Sequence, residues 1–406
     1  MNDDINLEKS FSGEQEETVV PPTAQALATK NRGLIITTLI VAFLVSTAAV
    51  LNRCYPRGVQ NTLFSEGLVA VKDGGVWGYA NNKGKMKIEA QYASAKPFSE
   101  GLAAVYDGEK WGFINNKGNM KIDTEYDKVS SFSEGFALVH NEQGYGFIDK
   151  KGKEVVEPQY KVAKDFSNGL ALVYDGEKCG YIDKKGKFVI PFEYDNADSF
   201  SEGCAPVMVD GKWGFINTKG KVVVEPKYQN VKKFSQGFAA VCYDGRWGFV
   251  NPKGKEVVKP KYDMVQPFSW ELAAFKLGDT CGFVNRKGKE VIEPVYDNVG
   301  AFTDDRAMFK KGDESGFINT KGRIKITGDF KNLGNFSNQL VAIQDENHKW
   351  GYMNPSGKMV IECNYTKAFQ FKDDGYAIVY DDYGKNVIIN KKGKEIARFD
   401  SVNITK

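Results

Sequence analysis

Histidine, cysteine and paired carboxylates are the residue types from which most active sites are built, and their placement here is informative. The chain holds two histidines, His140 and His348, widely separated in sequence. No Ser-His-Asp or Cys-His dyad is supported by such a pair. Six cysteines (Cys54, Cys179, Cys204, Cys242, Cys281 and Cys363) form no CxxC and flank no histidine, whereas a zinc site needs clustered thiolate or imidazole ligands. Glycosidase chemistry needs two carboxylates that converge on one bond. The 52 acidic residues fall at recurring positions instead of at one special place. A column of Asn and Asp, among them Asn81, Asn115, Asp149, Asp183 and Asn217, recurs down the chain. It reads as a calcium ladder or as a set of Asx turns. Neutral Asn is a poor calcium ligand set, so turns are expected. Lys-Gly pairs such as Lys117-Gly118 lack the GxxxxGK[ST] spacing of a phosphate loop and are expected to be hairpin tips. The expectation is therefore no catalytic residue, no cofactor and no metal.

What positions these residues is a repeat. Phe64, Phe98, Phe132, Phe166, Phe200, Phe234, Phe268, Phe302, Phe336 and Phe371 are spaced by 34 residues, the last by 35. A Tyr column (Tyr92, Tyr126, Tyr160 and onward) and a Trp column (Trp77, Trp111, Trp213, Trp247, Trp350, with Tyr145, Cys179, Cys281, Ser315 and Asn386 as substitutes) keep the same phase. Within a unit, Leu102–Val105, Trp111–Ile114 and Met120–Asp123 are strand-like runs. They are separated by Asp107-Gly108 and Asn116-Lys117-Gly118, where Gly and Asp tolerate positive φ. Three short strands cannot bury enough apolar surface alone, so neighbours must complete one another's core. The fold expected is all-β, a tandem array of ten three-stranded repeats of about 34 residues. An open solenoid or superhelix is preferred over propeller-like closure, because propeller blades usually have four strands in about 40–45 residues.

The Phe column reads as core, and so does the Trp-Gly step, where Gly lets backbone approach closely. The Tyr column reads as core or as an exposed binding ladder, with Tyr160, Tyr228 and Tyr262 as candidate ligand contacts. Trp270 is the aromatic outside its register, in Ser269-Trp270-Glu271 where other units have Ser-Glu-Gly, and it is the leading candidate contact. All cysteines of the array are expected to be buried free thiols.

Residues 1–32 are polar and acidic and are expected to form a disordered cytoplasmic tail. Residues 33–51 run without a charge for 19 residues, about the thickness of a bilayer as a helix. They are expected to be a single transmembrane helix, followed by a linker, 52–63, and the array, 64–406. Lys30 and Arg32 precede the span and Arg53 and Arg57 follow it, so the charge rule is nearly silent; Lys30, Arg32 and the short N-terminal tail favour repeats on the extracytoplasmic side. The charge balance, 55 basic against 52 acidic residues, supplies no field for nucleic acid.

The unit W-G-F-I-N-x-K-G-K-x-V-I-E-P-x-Y resembles that of the bacterial WG-repeat family, over about Phe64 to Phe399. The resemblance implies cell-envelope or interaction roles and carries over no catalytic residue. The function expected is a membrane-anchored scaffold for a protein, peptide or envelope polysaccharide; the alternative is an envelope enzyme, carbohydrate-active in type.

Overall fold

The computed structural model describes residues 61–403, in which all regular structure is β-strand. Among the described residues no helix is long and apolar enough to cross a membrane. The expected tail, 1–32, and span, 33–51, lie outside the described residues. Leu63 onward forms one compact unit.

This unit contains ten four-stranded antiparallel sheets, here called blades 1 to 10. Blade 2 is typical, with strands Ser94–Ala95, Leu102–Tyr106, Trp111–Asn115 and Met120–Tyr126, paired in that order. These positions are called a, b, c and d. The three-stranded unit expected from the sequence is thus corrected to four. Strand a is only two residues long in blades 2 to 10 and sits directly after the Tyr column, too short for any alternation of side chains to reveal it. Four strands fit into 34 residues for that reason.

The open array is corrected as well. Strand a of blade 1 comes from the other end of the chain: Ser401–Asn403 pairs with Leu68–Asp73, with Val71 opposite Val402. Around this seam Phe64 packs on Tyr376 at 5.0 Å between ring centroids. Val69, Val71, Ile378, Ile388, Phe399 and Val402 bury one another there. Phe64 N donates to Asp374 Oδ2 at 2.9 Å. The unit is a closed ten-bladed β-propeller. Closure follows from the frame of the repeat. Each repeat donates its last short strand to the next blade, so the first blade lacks one and the last repeat has one to spare.

The Phe column is the core between blades. Each Phe from Phe98 to Phe371 packs, at 4.7–4.9 Å between centroids, on the aromatic that follows Trp-Gly in the preceding blade, as Phe132 does on Phe113. Tilted and edge-on ring pairs of this kind are the favourable aromatic geometry. The Trp-Gly glycine is required by a bulge. In blade 2 Trp111 faces Tyr126 but Phe113 faces Ile122, so strand d carries two extra residues over Gly112. A Cβ on Gly112 would lie 2.6 Å from the Ile122 carbonyl oxygen.

Candidate functional site

Most recurring polar side chains are engaged in holding blades. The Asn and Asp column forms Asx turns: Asn217 Oδ1 accepts from the N–H groups of Lys219 and Lys221 at 3.0 and 3.1 Å. The Lys-Gly pairs are the tips of these c–d hairpins, as expected. The Ser-Glu-Gly segment, read from the sequence as a turn within the connection, is a tight two-residue turn whose central residues both have positive φ, Glu100 at 54° and Gly101 at 91°. Its side chains reach the next blade. Ser99 Oγ donates to Phe132 O at 2.7 Å, and Gly135 N donates to Glu100 Oε2 at 3.0 Å. The serine bond recurs from Ser65, Ser133, Ser167, Ser201, Ser269 and Ser337. The acid bond recurs from Glu66, Glu134 and Glu202, with Asn168 and Asp304 substituting.

The structure places the candidate contact residues apart from one another. Tyr160, Tyr228 and Tyr262 are buried in the blade cores. The Tyr228 hydroxyl donates to Glu256 Oε1 at 2.8 Å, and that of Tyr262 to Glu290 Oε1 at 2.9 Å, each on the next blade. Lys227 and Lys261 complete the two clusters. Together they hold the Glu256 and Glu290 carboxyls below their ordinary value, the lysine being the larger cause in each. A ligand would have to displace blade contacts to reach these tyrosine rings. Trp270 occupies the Glu position of its turn, at φ 49°, and packs against the core shared by blades 7 and 8. Its neighbour Glu271 is exposed and pairs with Arg286 at 3.1 Å. The cysteines of the described region are free, four of them buried and Cys363 half-buried. Burial pushes the Cys179 thiol up to about 12.

Sequence reasoning missed a set of charges at the inner ends of the blades. The segment just after strand a carries Lys96 in blade 2, Lys164 and Asp165 in blade 4, Asp198 in blade 5, and Lys232 and Lys233 in blade 6. Lys164 Nζ lies 2.5 Å from Asp198 Oδ1, and Lys233 Nζ lies 3.8 Å from Asp198 Oδ2. The charges of Lys96 and Asp165 act on each other although blade 3 stands between them. Alternate blades approach this closely only where the ring converges, so strand a is the inner edge and these groups line the axial opening. Asp165 touches solvent yet is crowded by protein on nearly every side. Burial raises the Asp165 carboxyl and lowers Lys96 and Lys164. In blades 7 to 10 the Lys96 position is Gln266, Gly300, Gly334 and Phe369, so the charge lies on one sector of the wall. The signal in the sequence was a column that fails to repeat among columns that do.

The description "WG containing repeat" matches at residues 77–111, 111–142, 145–179, 180–213, 213–247, 247–281, 282–314, 316–347 and 350–383. The chain belongs to the WG containing repeat family. These WG repeats are offset from the blades, each match running from one Trp-column residue to about the next. No curated protein matches the chain. Among solved structures, this WG-repeat chain is similar to one titled "Crystal structure of the eukaryotic initiation factor", at 10% identity and a TM-score of 0.51, covering 83% of this chain and 97% of that one. At that identity the likeness shows the fold alone. BamB from Moraxella catarrhalis also matches, at 13% identity and a TM-score of 0.34, over 65% of this chain and 91% of that one.

Proposed function

We propose that this WG-repeat propeller is a binding scaffold, tethered to a membrane through residues 33–51 and presenting its ring outside the cytoplasm to a protein or peptide partner. The observation that carries it is the division of labour among side chains. The repeating residues are engaged in blade-to-blade bonds, such as Ser99 to Phe132 and Glu100 to Gly135. The residues that vary from blade to blade sit at the axial wall and on the exposed hairpins. A constant frame with a variable surface suits recognition, since specificity comes from a few side chains placed by a rigid support. No reaction is assigned to the chain. The uncharged run of 33–51 supports the membrane tether by its length.

Two measurements test this. The full-length chain, purified from its own membranes after cross-linking in cells, is expected to carry a specific protein partner. That partner should be lost when the axial charges are neutralised together as K96Q, K164Q and K233Q. Carbonate washing is expected to leave the chain in the membrane, and protease added to intact cells is expected to cut it. Capture of no partner, or of the same partners by the triple variant and by an unrelated membrane-anchored propeller, would refute the scaffold. Release by carbonate would refute the tether.

A further inference from the structure

Blade 8 departs from the repeat at several positions at once. The Trp column has Ser315, the Pro of Glu-Pro is replaced by Gly328, and the Tyr column has Phe330. The bulge that blades 1 to 7 and blade 9 carry at this point is missing, as it also is in blade 10. Ser315, Gly316 and Phe317 pair in unbroken register with Gly328, Thr327 and Ile326. Strand d therefore stops at Gly328, two residues early, and Asp329 and Phe330 fall outside it. On the next blade the position held by Glu256 and Glu290 elsewhere is Met359. The tyrosine–glutamate hydrogen bond that joins other blades becomes a contact of Phe330 and Met359 with one apolar cluster, which Cys363 also joins.

A groove of about 420 Å³ opens there, between the end of blade 8 and blade 9. Phe330, Met359 and Cys363 line its floor; Asp329, Asp345, Glu346 and Glu362 line its rim. Among the residues lining it none is basic. Lys349, on the blade 9 hairpin that carries Asp345 and Glu346, pairs with Asp382 instead. The Cys363 thiol reports the same environment: burial, then the charges of Asp345 and Glu362, push it up to about 11. An apolar floor with an aromatic ring beneath an acidic rim fits a cation on an aliphatic stem, because the stem is buried while the charged head meets carboxylates.

We infer that this groove receives a lysine or arginine side chain of the protein partner. The inference rests on the scaffold reading above and adds the chemistry of one contact. An anionic polysaccharide is disfavoured by the same rim.

The test uses the full-length chain in detergent and a fluorescein-labelled Gly-Ser nonapeptide with one central arginine, beside versions carrying lysine, citrulline or glutamate. The arginine and lysine peptides are expected to bind at least fivefold more tightly than the citrulline one, and raised salt should erase the difference. In the E346Q/E362Q protein arginine binding should fall to the citrulline level. E157Q/E293Q, the same change in charge at exposed sites elsewhere, should leave it intact. Equal binding of arginine and citrulline, an unchanged affinity in E346Q/E362Q, or no binding by the wild-type chain would overturn the inference. If cross-linking still captures a specific partner when the peptides fail, the groove assignment falls and the scaffold stands.

Discussion

At the scale of single residues, the recurrent glycines and carboxylates each answer to a specific contact. Gly248 is the clearest glycine: a Cβ there would lie 2.3 Å from the Val258 carbonyl oxygen and 2.6 Å from Pro260 N. Both obstacles are backbone and cannot step aside. Gly248→Ala is expected to cost about 1–3 kcal/mol in denaturant unfolding, in the range of an overpacked site; an unchanged midpoint would contradict the bulge. Glu256 and Glu290 give a pH dependence of definite sign. Their carboxyls are depressed below the ordinary 4.5 by Lys227 with Tyr228 and by Lys261 with Tyr262. The stability they contribute is complete above that ordinary value and is lost as pH falls through the lower, folded-state value. Melting temperature is expected to decline over that acidic window, and less steeply in Y228F/Y262F. A melting temperature that rises on acidification would contradict the assignment. The Trp and Tyr columns were legible as separate stripes, but that they face each other, as Trp111 does Tyr126, was not. The bulge moves the partner by two residues and breaks the regular arithmetic of a hairpin.

At the scale of elements, the b, c and d strands were readable because b and c are continuous apolar runs and d alternates, each bounded by turn residues with a mechanism. Strand a escaped notice because two residues carry no period. The a–b turn was legible as a turn from its Gly, but its left-handed Glu was not, because Glu is not a residue that a positive φ usually selects. The explanation is that the Glu side chain gains a backbone donor from the next blade, which offsets the cost of a left-handed residue. Blades 7, 8 and 9 go further, placing Glu271, Asp305 and Gln339 at the position where other turns have Gly, with φ of 66°, 63° and 66°. A left-handed non-glycine residue costs roughly 1–2 kcal/mol. Gln339→Gly is therefore expected to stabilise the chain by about 1 kcal/mol, read as a higher denaturation midpoint, since its N–H bond to Asp304 is kept. A lower midpoint would show that the Gln339 side chain has a role beyond the turn.

At the scale of the molecule, the count of ten units and their all-β character were fixed by period alone, while the choice between an open array and a ring was not. That choice depends on whether the last short strand, Ser401–Asn403, meets the first long one, Leu68–Asp73, some 330 residues away. No local pattern carries that information; it emerges from the summed rotation of ten blades. The axial charges were hidden for the same reason, since an inner wall exists only once the ring closes. Asp198 meets Lys164 of the blade before it and Lys233 of the blade after it. Ring closure is tested by joining its two ends. Lys72 faces Ser401 across the seam, and paired residues of antiparallel strands have Cα atoms about 4.5–5.5 Å apart, within the reach of a disulfide. Mild oxidation of a K72C/S401C chain at low protein concentration should give an intramolecular crosslink, seen as a reductant-sensitive gain in gel mobility and as the linked peptide by mass spectrometry. Two thiols that stay free, or that link only between chains, would mean that the first and last blades do not meet.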